Sequence, residues 1–539
     1  MTGRRRPLIL VRGFGGPGIA DEQRSPYQGF NDGSVYPGRR GDNYIYEGFV
    51  LRALKSEAYP YRDATNVVGF YAQDMPAPQH GHDLDDDSVR GTVVLDPATE
   101  ARVLRDGTDG TIWVYRFYDL RPRALERYGD GLARLVRLIQ RAADRHREDF
   151  DGVDVVAHSM GGLVVREGLL AMDSQEPGSA RELVHRVVTL GTPHRGISFQ
   201  RAPSWLLQVL PMLEQAEKEV SSFDPTSTAF LKLGKVFDPR RVLTVVGTNY
   251  RAYASEAASG LNRISSLMDE GTLAYNRSDG LVKQSSAQLP GAPRTFVHKP
   301  HGGPDSLVTS REAYEIAMRF FHGTHRVSLW LDEARIDRGG DWFGRSEFYV
   351  GFTIKPRYVD FELFHQSADA ENCYGPFAER DLTDALPDLT TELTKPLAAM
   401  GDRTTGWAGP DRLIWEGWVD ADAKASDARG MVFRLDVYVG ERDTYGIGFS
   451  DNVVFRKQYY VQAFPGSPLQ VFLHTGERHL GDDGPDKETL GRMAQPGAAA
   501  DVQQAETMAG RGGQMRFHIA GTGFSATLRI GVTRAEGDA

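Results

Sequence analysis

The chain has 539 residues, 40% apolar and 25% charged, with 63 Lys and Arg against 73 Asp and Glu, a net charge of −10. That balance belongs to a globular protein and excludes a disordered or fibrous one, and the length predicts two or three domains. An acidic chain offers no basic footprint for nucleic acid and does not favour anionic membrane surfaces. The single cysteine, Cys373, excludes an intrachain disulfide framework.

Three arginines precede the apolar run Leu8–Val11. The run is too short for a signal peptide and is cut off by Arg12 and glycines, so it reads as a first core strand. No stretch reaches the ~18 apolar residues that span a bilayer. Cytoplasmic location is the default expectation, with leaderless export left open. Further strands are read at Asn66–Phe70, Ile112–Phe117, Val153–Ala157, Arg186–Leu190, Val242–Gly247 and Thr295–His298. Helix-length stretches lie between them, at Ala124–His146 and Ser159–Met172. A last helix over Arg311–Phe321 follows the capping-box spacing Thr309-Ser-Arg-Glu312 and stops at Gly323. Near-continuous apolar strands alternating with helices predict an α/β domain over residues 1–323, a mostly parallel sheet covered on both faces.

From Thr324 the grammar changes. Val327–Leu331, Glu347–Ile354, Val359–Leu363, Val432–Val439, Leu469–Leu473 and Phe524–Ile530 alternate apolar and polar residues. Period-2 alternation predicts half-buried antiparallel strands, about nine in all, and so an all-β sandwich over residues 324–539. We read this domain as an accessory binding module. The segment Gly481–Gln504, rich in Gly, Asp, Pro and Ala, reads as a mobile loop.

The chemistry concentrates in Val153-Asp-Val-Val-Ala-His-Ser159-Met-Gly-Gly-Leu. An apolar strand runs through a tight turn straight into a helix. Such a turn lifts a serine hydroxyl above the sheet edge, and the helix N-terminus supplies positive dipole where an oxyanion develops. Ala157 stands at the first glycine position of the usual Gly-x-Ser-x-Gly pattern. The partners follow in the order Ser, Asp, His that this topology demands. Asp279 lies in a turn-forming Ser-Asp-Gly after the strand Val242–Gly247, and His301 in a glycine-rich loop before the final helix. His298 competes with His301 but falls at the strand end. His158 reads as a packing residue, and His194, in Thr-Pro-His194-Arg-Gly, as one that shapes the site. Two backbone donors are expected for the oxyanion, the N–H groups of Met160 and Phe14. The glycines at 13, 15 and 18 also match a dinucleotide loop, but Pro17 and the turn-rich stretch after it leave no helix to receive a pyrophosphate.

These motifs, with Arg12-Gly-Phe-Gly-Gly, Thr189-Leu-Gly-Thr-Pro-His-Arg-Gly and Ser278-Asp-Gly-Leu-Val, resemble the α/β-hydrolase superfamily. The likeness is to its lipase and esterase-like members, including the inositol-deacylase-like group with Ala-His-Ser-Met-Gly-Gly. The resemblance implies a triad of Ser159, Asp279 and His301, an oxyanion hole of Phe14 and Met160, and neither metal nor organic cofactor. Arg12 replaces the histidine often found there and leaves the backbone donor intact. The expected substrate is an ester or lipid, with peripheral contact to a lipid surface left open. Phospholipase or inositol deacylase is the alternative, and a non-catalytic binding scaffold a further one. Residues 196–238 resemble a lipase cap, with an apolar stripe of Trp205, Leu206, Val209, Leu210 and Met212 that fits a lid or an ordinary surface helix. The tyrosine-rich insertion Ile19–Thr65 follows the oxyanion loop, a position that fits a pocket lining, with plain loop packing the expected reading for any single residue. The acidic run Asp83–Asp87 lacks calcium-ligand spacing and reads as a solvated loop.

Overall fold

The structure, a computed structural model, describes residues 5–13, 30, 33–35, 43–45, 48–62, 64–68, 94–95, 97–116, 125–194, 233–250, 278–284, 286–289, 291–303, 305–336, 346–357, 359–370, 372–377, 413–419, 430–443, 452–466, 468–476, 486–498, 501–508 and 513–535. Contacts divide the chain into two compact units. One comprises Met1–Leu261, Asp279–Ala292 and Lys299–Ala317; the other comprises Asn262–Ser278, Pro293–His298 and Met318–Ala539.

The first ten strands are β1 (Leu8–Val11), β2 (Gly33–Val35), β3 (Asn43–Ile45), β4 (Ala64–Val68), β5 (Val94–Leu95), β6 (Ile112–Arg116), β7 (Val153–His158), β8 (Val184–Leu190), β9 (Val242–Gly247) and β10 (Arg294–Val297). The helices among and after them are α1 (Phe49–Lys55), α2 (Pro97–Asp106), α3 (Leu125–Arg145), α4 (Gly161–Gln175), α5 (Ser179–Leu183) and α6 (Arg311–His322). β2 and β3 form a hairpin of their own, and the other eight strands form one sheet in the order β10-β9-β8-β7-β1-β6-β4-β5. β1 is parallel to both β6 and β7, β7 to β8, β8 to β9 and β4 to β6, while β5 runs antiparallel to β4. Chain order reverses at β1, and ligand crevices of such sheets open beyond the carboxyl ends of the strands at such a reversal.

Every residue of β1, β7 and β9 is buried, so β1 is a continuous apolar run and β7 and β9 are apolar but for Asp154, His158 and Thr244, with no alternation. α3 buries Leu132, Leu135, Val136 and Ile139, the helical spacing of one apolar face. α4 starts at Gly161, two residues later than expected, because Ser159 is left-handed (φ 54°) and cannot begin a helix. The cap of α6 also differs from the expected box. Ser310 Oγ, not Thr309, accepts from the N–H of Ala313 at 3.1 Å, and Glu312 instead meets Lys299 Nζ at 3.3 Å. From the tyrosine-rich insertion, the β2–β3 hairpin and α1 are described. Phe49 of α1 is buried with its ring 6.1 Å from Phe30 and 5.2 Å from Tyr314. The acidic run Asp83–Asp87 and the apolar stripe Trp205–Met212 lie outside the described residues. The end of the expected cap segment does not stand apart from the core: Leu233, Val236 and Phe237 are buried in it.

In the second unit the described strands are β11 (His325–Ile336), β12 (Ser346–Pro356), β13 (Phe364–His365), β14 (Tyr374–Phe377), β15 (Leu413–Val419), β16 (Met431–Asp443), β17 (Asn452–Phe464), β18 (Gln470–His474), β19 (Val502–Gln504), β20 (Glu506–Thr507), β21 (Gln514–Gly521) and β22 (Phe524–Arg534). They build a five-stranded sheet, β15-β11-β22-β21-β20, and a seven-stranded one, β13-β12-β16-β17-β18-β19 with β14 also on β12. All the pairings described within these two sheets are antiparallel. The sheets face each other through aromatic pairs: Trp415 and Phe433 have ring centroids 6.2 Å apart, Phe455 and Phe524 5.0 Å. The unit holds more strands than the nine expected, because β13, β14, β19 and β20 are too short to show alternation. Val359–Leu363 is not a strand, since pairing with β12 resumes only at Phe364. The segment expected to be a mobile loop carries a helix, α7 (Lys487–Met493), and β19. Asp486 caps α7 by accepting from the N–H of Thr489 at 2.8 Å, and Leu490 packs with Phe464, Phe472 and Val502. The segment Pro293–His298 groups with this unit. Arg294 donates to the Tyr374 hydroxyl at 3.2 Å, Thr295 Oγ1 donates to the Leu363 carbonyl, and the rings of Phe296 and Phe364 lie 5.5 Å apart.

Candidate active site

β7 delivers the chain to the carboxyl edge of the sheet, next to β1 and β8. Ser159 N–H donates to the Leu190 carbonyl at 3.0 Å, and α4 takes over at once, with Gly162 N–H on the Ser159 carbonyl at 3.1 Å. The left-handed backbone at Ser159 costs about 1 kcal/mol or more, and tight surroundings hold it. A Cβ on Gly161 would sit 2.3 Å from the Val11 carbonyl oxygen. A Cβ on Gly13 would sit 2.6 Å from Ser159 Cβ and 2.9 Å from Met160 N. The loop after β1 therefore passes directly against the Ser159 turn and beside the Met160 N–H. Phe14, the other expected donor, lies outside the described residues.

Asp279 and His301 complete a chain of hydrogen bonds. Asp279 Oδ2 lies 2.8 Å from His301 Nδ1, and His301 Nε2 lies 3.0 Å from Ser159 Oγ. The other carboxylate oxygen, Oδ1, accepts from the N–H groups of Leu281 at 3.0 Å and Val282 at 2.7 Å. The His301 N–H donates to the Asp279 carbonyl at 2.9 Å. Both side chains are buried. Gly191 leaves room for the pair: a Cβ there would meet Asp279 Oδ2 at 2.8 Å and His301 Nδ1 at 3.1 Å.

The structure thus brings together Ser159, Asp279 and His301, with Met160 at the start of α4. His298 belongs to the other compact unit, where its ring lies 5.5 Å from that of His365. His194 is buried and shares a hydrogen bond of 3.0 Å with Thr189 Oγ1. His158 does more than pack. Its Nε2 lies 2.9 Å from the His301 carbonyl oxygen and the two rings are 4.7 Å apart, a contact for which adjacency to Ser159 was the only sign in the sequence. Among the described residues no group of His, Cys, Asp and Glu is placed to hold a metal ion, and no helix is long and apolar enough to cross a membrane.

Burial sets the protonation of the two flanking histidines. It pushes His158 well below the usual imidazole range, and the neighbouring charges of His301 and Arg12 push the same way. Burial, then Arg166, takes His194 down to about 3. Both rings are neutral in the folded protein, while in the unfolded chain they titrate near 6.5. Below that pH the unfolded state binds more protons, so stability is lost as pH falls. The slope reaches about 1.4 kcal/mol per pH unit for each histidine. The urea midpoint is expected to drop between pH 6.5 and 5, and His194→Gln is expected to flatten the slope by about one proton. An unchanged slope in that variant would mean that His194 is not held neutral.

Residues 116–220 match the PGAP1-like alpha/beta domain family. No curated protein matches the chain. Among solved structures, the mature lipase BlEst2 of Bacillus licheniformis is similar at 16% identity over 59% of this chain and 92% of that one, with a TM-score of 0.29. A putative cell surface hydrolase of Lactobacillus plantarum follows at 11% identity, 59% and 91% coverage and a TM-score of 0.29. Phospholipase PlaB of Legionella pneumophila gives 12% identity, 69% and 84% coverage and a TM-score of 0.27. Likenesses this distant carry no inference about substrate. The strand–turn–helix at Ser159 and the parallel sheet that carries it give the chain an α/β-hydrolase fold followed by an all-β C-terminal region, and residues 116–220 are similar to a lipase/esterase-like hydrolase family.

Proposed function

We propose that the chain is a serine hydrolase that cleaves carboxylic esters through an acyl-enzyme on Ser159. The observation that carries this reading is the unbroken chain from Asp279 through His301 to Ser159, at 2.8 and 3.0 Å. A carboxylate can only accept, so the proton of His301 sits on Nδ1 and Nε2 is bare toward the serine hydroxyl. As Ser159 Oγ attacks the ester carbonyl, its proton passes to Nε2, and Asp279 stabilises the imidazolium. The tetrahedral oxyanion is met by the Met160 N–H at the start of α4, with the Phe14 N–H as the second donor by resemblance. His301 then protonates the departing alcohol. A water activated by the same nitrogen frees the acid and returns the serine. We take residues 324–539 as an accessory module, since the triad is complete by His301.

A phospholipase or inositol-deacylase reading is favoured by one observation, the PGAP1-like match over residues 116–220. A fluorophosphonate probe located by mass spectrometry, with turnover of p-nitrophenyl esters, phospholipids and inositol-acylated lipids, tests both. Labelling of Ser159 with turnover of simple esters supports the first reading, and turnover confined to one lipid class supports the second. A folded protein that is neither labelled nor active leaves only a binding scaffold.

Gly13→Ala is expected to lower kcat by at least about 100-fold, the worth of one displaced oxyanion donor, because the new methyl meets backbone and the nucleophile rather than a yielding side chain. Gly234→Ala, where an added Cβ meets nothing within 4 Å, is the control. Wild-type kcat for Gly13→Ala on a soluble ester would show that the loop does not press on the turn.

A further inference from the structure

We infer that His158 is a positioning residue which fixes the loop of the catalytic base by donating a hydrogen bond to the His301 backbone. The inference rests on the triad reading above and goes beyond it. A carbonyl oxygen only accepts, so the bond of 2.9 Å between His158 Nε2 and the His301 carbonyl requires the proton to be on Nε2. His158 is therefore in its Nε2–H form, and its buried Nδ1 has no hydrogen-bond partner among the described residues. An unmet acceptor in the interior is unfavourable. The tautomer that leaves Nδ1 unmet is retained because the other nitrogen has a fixed task.

That task is legible in the loop. The His301 peptide is held at both ends: its N–H donates to the Asp279 carbonyl at 2.9 Å and its carbonyl accepts from His158. Two neighbours in sequence, His158 and Ser159, thus grip the base through different atoms. Ser159 meets the ring at Nε2 and His158 meets the backbone. Any shift of β7 moves nucleophile and base together and preserves the 3.0 Å gap between them. Burial also keeps His158 proton-silent beside His301. A second charged imidazole with its ring 4.7 Å away would oppose the imidazolium that the reaction forms.

The test compares His158→Gln, whose side-chain amide can place an N–H where Nε2 stood, with His158→Phe, which keeps a ring and loses the donor. Each is read in two ways: by kcat and KM on a short-chain soluble ester, and by hydrogen–deuterium exchange of the peptide carrying residues 299–303. In His158→Phe, kcat is expected to fall about 10- to 100-fold with KM within twofold, the range of one lost hydrogen bond with a stranded acceptor, and the loop peptide to exchange at least about tenfold faster. His158→Gln should restore both to within a few-fold of wild type. Unchanged exchange in His158→Phe overturns the inference, as does equal loss in both variants with a lowered melting temperature, the mark of packing alone. Because exchange needs no turnover, a wild-type protein that fails to label at Ser159 sinks the hydrolase reading and leaves the positioning role decided by the loop.

Discussion

Ser159→Ala is expected to lower kcat on a soluble ester by about 10⁴- to 10⁶-fold, with the melting temperature nearly unchanged. The change removes the only atom that bonds to the acyl group. What remains, the Met160 N–H and substrate binding, supports a residual rate well above that of water. The fold keeps its contacts because those of Ser159 within the turn are made by backbone atoms, to Leu190 and Gly162, which alanine retains. Alanine also inherits the left-handed backbone at φ 54°, so it neither adds nor relieves strain. Ser159→Gly separates chemistry from stability. It should be equally inactive but more stable by up to about 1 kcal/mol, because glycine adopts that backbone without a Cβ conflict. Turnover above a tenth of wild type in Ser159→Ala, with the protein verified by mass, would end the assignment of this residue as nucleophile.

The parts of the molecule legible in the sequence share one physical trait: burial on all sides. β1 and β9 have the bounds that the sequence predicts, because a strand covered on both faces is apolar along nearly all its length, Thr244 being the one polar residue in either, and stops where the chain must turn. The order of Ser159, Asp279 and His301 was equally plain, since the parallel sheet puts the loops that follow its strands at one edge. The elements without a sequence signature are decided by contacts distant in sequence. β13 spans two residues and exists only because β12 offers it an edge. α1 follows Gly48, which offers no side-chain cap, so no start signal marks it. α7 carries a start signal in Asp486, but the surrounding Gly and Pro content outweighed it, and only the packing of Leu490 makes the helix worthwhile. The sequence marks His158 only as a packing residue, because its partner is a backbone carbonyl 143 positions away, a group with no signature in the sequence.

Asp279→Asn tests the electrostatic half of the site and should cost about 10⁴-fold in kcat with little change in KM or stability. The argument turns on which atom of the amide can face which neighbour. Oδ1 of Asp279 accepts from two backbone N–H groups, those of Leu281 and Val282, at 3.0 and 2.7 Å. In the asparagine variant only the carbonyl oxygen can take that place, since an NH₂ group there would set donor against two donors. The amide nitrogen is then forced to face His301 Nδ1, where Oδ2 stood at 2.8 Å. As a donor it requires Nδ1 to accept, and the imidazole proton moves to Nε2. That nitrogen faces Ser159 Oγ at 3.0 Å and, once protonated, cannot take the serine proton. The variant is thus isosteric, fully hydrogen-bonded and held in the wrong tautomer. Asp279→Ala should be just as inactive but also less stable, because it strands the Leu281 and Val282 N–H groups, each worth about 1–3 kcal/mol when left unmet. A folded Asp279→Asn enzyme that keeps more than a hundredth of wild-type kcat would show that the base does not depend on this carboxylate for its tautomer, and the acid of the triad would have to be sought elsewhere.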